Sequence, residues 1–149
     1  MKSTAAVARC LLTQESDTAN RQTAAAGTLT VLIVDDDDAF RKQLRMLFVP
    51  GSGFNACAEA PNAVEALNET KRLSPNLALL SFSLPDMSGL ELAQKLKVIA
   101  SELPIFILTT DYNVDVEKLA LSHAISAVFS KGDDLAALIP NARVVCGIE

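Results

Sequence analysis

Clustered positive charge is what this sequence most plainly lacks. Its 13 lysines and arginines are spread over 149 residues, never more than two in succession ("RK", "KR"), and 18 aspartates and glutamates outnumber them for a formal net charge of −5. Tracking the phosphates of a nucleic acid takes a basic stripe, and none is present; DNA or an acidic partner would be repelled rather than steered in. Cysteine is equally sparse. Cys10, Cys57 and Cys146 are odd in number and far apart, which gives neither a disulfide framework nor a zinc spacing and suits a reducing cytoplasm. Long apolar runs are missing as well. Arg9 interrupts the segment "MKSTAAVARCLLTQE" after a few residues, so it is too short and broken for a secretory core, and nothing later approaches a membrane span. The single histidine, His123, falls late in the fourth expected helix and reads as an ordinary surface or partly buried residue rather than a general base.

Half of the residues are nevertheless apolar and only 21% are charged, the composition of a folded domain with a real core. Residues 1–28, rich in Ala, Thr, Ser and Gln and without a sustained period, are expected to be a flexible tail, with "AAVARCLL" as a possible short docking helix. The folded domain is expected over 29–149. There the pattern alternates. "TVLIV" (30–34), "FNACAEA" (54–60, more edge-like), "NLALLS" (76–81), "PIFILTT" (104–110) and "ISAVFSK" (125–131) read as strands. Between them lie helical patterns. One carries Phe40, Leu44 and Leu47 and is broken at Pro50. The next opens on Asn62 with Glu65 three residues on, a capping box. A third has Leu92, Leu96 and Ile99 on one stripe, and a fourth has Val116, Leu119 and Ala120 facing inward. The last is "DDLAALIPNARVV", with Asp133 and Asp134 at its start and Pro140 inside it, kinking or ending it. Five strand–helix repeats with short connections make an α/β protein: a doubly wound, five-stranded parallel sheet of the flavodoxin-like type.

In such a sheet the ligand site lies at the carboxyl ends of the strands. The residues there are Asp35–Asp38, Ser81, Thr109–Asp111, and Lys131 with Asp133 and Asp134. Asp37 and Asp38 fit a helix N-terminus, where the dipole favours negative charge. Asp35 and Asp36 directly follow a buried strand and repel each other, so a cation must compensate; Mg²⁺ is one candidate and Lys131 another.

"VLIVDDDDAFRKQLRMLF", "LALLSFSLPDMSGLEL", "PIFILTT" and "AVFSK", in this order and spacing, resemble the landmarks of response-regulator receiver domains, closest in style to those of LuxR-type regulators. The resemblance covers residues 30 to about 143. It implies that Asp35 and Asp36 hold Mg²⁺ with the backbone carbonyl of Ser83, that Thr109 contacts a phosphoryl group, and that Lys131 pairs with it. It also places two departures. The phospho-acceptor, an aspartate in the family, falls on Ser81, and the switch aromatic falls on Val128. A serine hydroxyl needs a general base where a carboxylate does not, and Asp86, five residues along the loop, is more than about 10 Å of extended chain away. Phosphorelay chemistry at Ser81 is therefore not expected, Mg²⁺ is expected to bind weakly if at all, and Lys131 paired with Asp35 or Asp36 would fix the pocket without a ligand.

The expected function is that of a non-enzymatic, cytoplasmic pseudo-receiver in phosphorelay signal transduction. It would act through a protein partner (a histidine kinase or an output protein) or a homodimer, with no nucleic acid or membrane, since the chain ends at Glu149 without a DNA-binding domain. One alternative is a receiver regulated by another input, such as a small ligand or a serine/threonine kinase acting on Ser81. The other is a phosphohydrolase of the haloacid-dehalogenase type using Asp35, Asp37, Thr109, Lys131, Asp133 and Asp134. Its lysine and late acidic pair should sit on separate strands, however, and here "KGDD" is contiguous.

Overall fold

The computed structural model describes residues 29–48, 53, 54 and 56–147. The expected tail over 1–28, including "AAVARCLL", and the expected helix breaker Pro50 lie outside the described residues. In chain order the elements are β1 (Thr30–Val34), α1 (Asp38–Leu47), β2 (Ala56–Ala60), α2 (Ala63–Leu73), β3 (Leu77–Ser81), α3 (Gly89–Ile99), β4 (Ile105–Thr109), α4 (Val114–Leu121), β5 (Ala127–Ser130), a 3₁₀ turn (Leu135–Ala137) and α5 (Leu138–Val145).

All strand pairs are parallel, in the order β2-β1-β3-β4-β5. Parallel strands covered on both faces read as continuous apolar runs, and each face receives alternate residues. Leu32, Val34, Ala78, Leu80, Ile105, Ile107 and Val128 meet α2, α3 and α4 residues such as Ala66, Leu92, Leu96 and Ala120. Val31, Ile33, Leu77, Leu79, Phe106, Leu108 and Phe129 meet Leu44 of α1 and Leu138 and Ala142 of α5. A one-residue slip of any strand would exchange the two sets, so register and layer assignment are fixed together. The edge strand β2 begins at Ala56 rather than at Phe54, whose buried ring instead packs edge-on against Phe48 at 5.0 Å between centroids.

Side-chain caps begin four of the helices, two of them, at Asp37 and Asn62, where expected; α4 is capped by Asn113, which accepts from Val116 N. The Asp37 carboxylate accepts from the amides of Ala39 and Phe40, and Asn62 Oδ1 accepts from Glu65 N at 2.9 Å. Glu65 answers through the Asn62 side-chain amide at 3.4 Å, a variant of the expected capping box. Ser88 caps α3 by accepting from Glu91 N.

Three expectations are corrected. Leu119 does not face inward: it is exposed, and α4 docks through buried Ala120 and half-buried Val116. Both stripes satisfy helical spacing, and a chain-local pattern does not say which one meets the sheet. Ile99, expected on the inward stripe of α3, is 39% exposed at the helix end. The last helix is divided. Asp134 precedes a 3₁₀ turn without capping it, and its carboxylate accepts from Ser130 N at 2.8 Å. The α-helix starts only at Leu138, so Pro140 lies in its first turn, where a missing N–H is tolerated, and neither kinks nor ends it.

Candidate functional site

Four strands deliver the cleft. Asp35 follows β1, Ser81 ends β3, Thr109 ends β4 and Lys131 follows β5, and these strands are successive neighbours in the sheet. The order places β1 and β3 at the switch point, where the connections leave toward opposite faces. An open cleft of roughly 400 Å³ lies there, lined among others by Asp36, Ser81, Ser83, Thr109, Asp111 and Lys131. Asp35, Ser81 and Thr109 are each at most 4% exposed. Buried polar groups of this kind must find partners within the fold.

They do. The Lys131 ammonium donates to Asp35 Oδ2 at 2.7 Å and to Ser81 Oγ at 3.2 Å, and it sits 4.8 Å from the centroid of the Phe40 ring. A carboxylate, a hydroxyl and an aromatic face thus surround one cation, a charge-assisted arrangement with a cation–π component. The other oxygen of Asp35, Oδ1, accepts from Asp37 N at 2.9 Å. The Arg41 guanidinium donates to the backbone carbonyl of Asp35 and pairs with Asp38 and Glu59, which fastens the end of β1 to α1 and to the edge strand. Ser81 donates its own proton to the carbonyl of Ser83 at 2.9 Å. Thr109 Oγ1 accepts from Asp111 N at 3.1 Å.

This circuit decides what the site can do chemically. A hydroxyl becomes a nucleophile only when a base takes its proton. The Ser81 proton points at a carbonyl, the neighbouring Lys131 is a donor, and both oxygens of Asp35 are engaged. His123 lies on the turn after α4 that leads into the amino end of β5, the opposite end of the sheet from the cleft, with Nδ1 2.8 Å from the carbonyl of Leu119. The hydrogen bonds of the Ser81 hydroxyl run to the Ser83 carbonyl and from Lys131, and neither partner can take its proton as a base.

The same contacts test the implied metal. Mg²⁺ demands near-octahedral oxygen coordination. Of the expected donors, Asp35 is taken by Lys131 and a backbone amide, the Ser83 carbonyl by Ser81, and only exposed Asp36 is left. No group of three or more His, Cys, Asp or Glu side chains capable of holding a metal exists among the described residues. The donor set does not fit a resident Mg²⁺.

The loop from Phe82 to Ser88 forms the mouth. Its base is closed by Gly89 N donating to Phe82 O at 2.8 Å and by a bridge between Ser83 and Ser88. Gly89 is required there: a Cβ at this position would lie 2.2 Å from the Ser81 carbonyl. Val128 is buried under α4 among Ala120, Ile125 and Ile107, as its β-branched side chain suggests. Sequence reasoning placed Asp35, Asp36, Ser81, Thr109 and Lys131 around one cleft. It missed Phe40, whose ring reaches the site only because Asp37 starts α1 where it does, and it found no role for Asp86.

No helix among the described residues is long and apolar enough to cross a membrane. The chain is 34% identical over 115 residues to a Pseudomonas aeruginosa protein named as a candidate transcriptional regulator, matching 77% of this chain and 55% of that protein. It is 34% identical over 85 residues to a protein-glutamate methylesterase/protein-glutamine glutaminase of Paramagnetospirillum magneticum, matching 57% of this chain and 24% of that one. It therefore spans about half or less of the length of these relatives. Among solved structures, a LuxR-family two-component response regulator from Aurantimonas superposes with a TM-score of 0.74 at 24% identity, covering 82% of this chain and 88% of that one. The model of the response regulator receiver domain matches residues 31–143, which include the whole cleft and all of the sheet but Thr30, and so the chain belongs to the receiver-domain family of two-component signalling.

Proposed function

We propose that this receiver domain is a pseudo-receiver: a protein-interaction module that holds one shape and does not relay phosphoryl groups. The carrying observation is the Lys131–Asp35–Ser81 contact set, with Ser81 where the family places its acceptor carboxylate. In the family the lysine serves an incoming phosphoryl group. Here it is already satisfied, by a carboxylate on one side and a hydroxyl on the other. Val128, buried and without a ring, offers nothing to swing inward at the family's switch position. The partner would be a histidine kinase, an output protein or a second copy of the chain, reading a fixed surface. The P. aeruginosa relative is nearly twice as long as the matched region, and this reading concerns the receiver portion alone. Regulation by a serine/threonine kinase at Ser81 is disfavoured by its burial. Phosphohydrolase chemistry is disfavoured because Asp134 is committed to the Ser130 amide.

The test is incubation with acetyl phosphate and Mg²⁺, read by intact mass. The wild-type chain should gain no phosphoryl group, and Ser81→Asp should gain one. An acyl phosphate on the wild-type protein, formed at any carboxylate of the cleft, would overturn the reading.

A further inference from the structure

The β3–α3 loop carries one carboxylate that the cleft does not use. Asp86 Oδ1 accepts from Ala63 N at 2.9 Å, and Asp86 Oδ2 accepts from Val64 N at 3.1 Å. These are the first two amides of α2, donors that no helix can satisfy internally. Asn62 satisfies the third, from Glu65. The start of α2 is thus capped by two residues of different origin: a local asparagine, and an aspartate reaching across from another connection.

We infer that Asp86 is a positioning residue, a latch that ties the tip of the cleft loop to the first two amides of α2, so that release of its carboxylate frees the mouth of the cleft and the start of that helix together. The loop has three fastenings. Its base is held by the Gly89–Phe82 hydrogen bond and the Ser83–Ser88 bridge, and half-buried Leu84 and Met87 rest against the apolar layer under α2 and α3. Only the tip is held by charge, and only there does the loop touch the backbone of another element through a pair of hydrogen bonds. A carboxylate at a helix N-terminus is favoured by both the free amides and the dipole, and the bidentate geometry fixes orientation as well as distance. Phe82, Ser83, Leu84 and Pro85 of the same loop line the cleft, so release of Asp86 loosens the wall beside Ser81. A partner that engages the first turn of α2, where Val64 is exposed, has to accommodate or displace this carboxylate. The latch concerns the loop's geometry, and it stands whether or not the cleft accepts phosphoryl groups.

Amide hydrogen exchange on the full chain tests it. In Asp86→Ala, exchange at Ala63 and Val64 should accelerate at least about tenfold, and the amides from Ser83 to Ser88 should accelerate with them. Those of α5 should keep wild-type rates. Asp86→Asn, which keeps one acceptor oxygen, should fall between. Asn62→Ala removes the other cap of the same helix without touching the loop. It should raise exchange in the first turn of α2 and leave residues 83–88 as they are. Wild-type rates at 83–88 in Asp86→Ala, or equal loop acceleration in Asn62→Ala, would overturn the latch. The first result would reduce Asp86 to an ordinary cap. The second would show that fraying of α2 alone disturbs the loop.

Discussion

Removing Lys131 would leave Asp35, a carboxylate 1% exposed, with the Asp37 amide as the remaining partner of its side chain. An ion pair with one partner deleted destabilises through the stranded charge more than through the lost attraction. Because Lys131 itself is only partly buried, with 17% of its side chain exposed, Lys131→Met should cost about 3 kcal/mol, at the lower end of the range for buried pairs. Ser81→Ala deletes two hydroxyl hydrogen bonds, one to the carbonyl of exposed Ser83, which can turn to water, and a longer one from Lys131, which keeps Asp35. It should cost about 1 kcal/mol. Urea unfolding of both variants at neutral pH measures the two costs. A Lys131→Met cost no larger than that of Ser81→Ala would mean that another group satisfies Asp35. The run of four aspartates shows how unlike the roles of identical neighbours can be. Asp35 is buried and paired, Asp36 lines the cleft in solvent, Asp37 caps α1, and Asp38 pairs with Arg41.

At the scale of elements, the connection between β3 and α3 is tightly constrained. Gly89→Ala forces a methyl group against the backbone carbonyl of Ser81, which neither a rotamer change nor a flexible neighbour can relieve. About 2–4 kcal/mol of destabilisation is expected from such overpacking, accompanied by chemical-shift changes at Ser81 and Phe82. Wild-type stability would show that α3 can pivot away. The acid dependence of α2 follows from Asp86. The amide of Ala63 above all holds its carboxyl below the usual carboxylate range; desolvation opposes this, and the amides of Val64, Asp86 and Met87 add to the lowering. A carboxylate depressed in the folded state contributes stability above its unfolded value of about 3.9 and loses it as pH falls through the folded value. The stability difference between the wild-type chain and Asp86→Asn should therefore be full at neutral pH and shrink below about pH 4. Glu65, in the same turn, is present in both proteins and cancels in the difference. A difference independent of pH would remove the charge from the argument.

These elements also show what a one-dimensional pattern carries. The strands were legible because burial on both faces leaves a continuous apolar run. The starts of α1 and α2 were legible because Asp37 and Asn62 cap the helices they precede. The inward stripe of α4 was not, since Leu119 and the Val116–Ala120 pair satisfy the same period. Pro140 was misplaced because a proline reads alike in a helix interior and in a first turn until the true start at Leu138 is known. Asp86 had no signal at all: its partners lie more than twenty residues away in sequence.

For the molecule as a whole, the decisive quantity is whether the fold needs a cation from solution. A site that binds Mg²⁺ only when folded must stabilise the chain by RT ln(1 + [Mg²⁺]/Kd). At about ten times Kd that is roughly 1.4 kcal/mol, visible as a shift of the urea midpoint. In this molecule the charge that would draw the metal is already met from within. Lys131 neutralises Asp35, the Ser83 carbonyl is occupied by the Ser81 hydroxyl, and a third carboxylate is missing. The urea midpoint of the wild-type chain should therefore be the same with and without Mg²⁺, once ionic strength is matched with a monovalent salt. Ser81→Asp restores a carboxylate beside Asp35 at the price of like-charge repulsion. This variant should be less stable than wild type without the metal, and Mg²⁺ should recover part of the loss. The crossed pattern, insensitivity in one protein and rescue in the other, separates a specific site from general screening, which would act on both. A saturable Mg²⁺ shift in the wild-type chain would mean that the Lys131–Asp35 pair opens at little cost, and that the cleft is a metal site waiting for an acceptor.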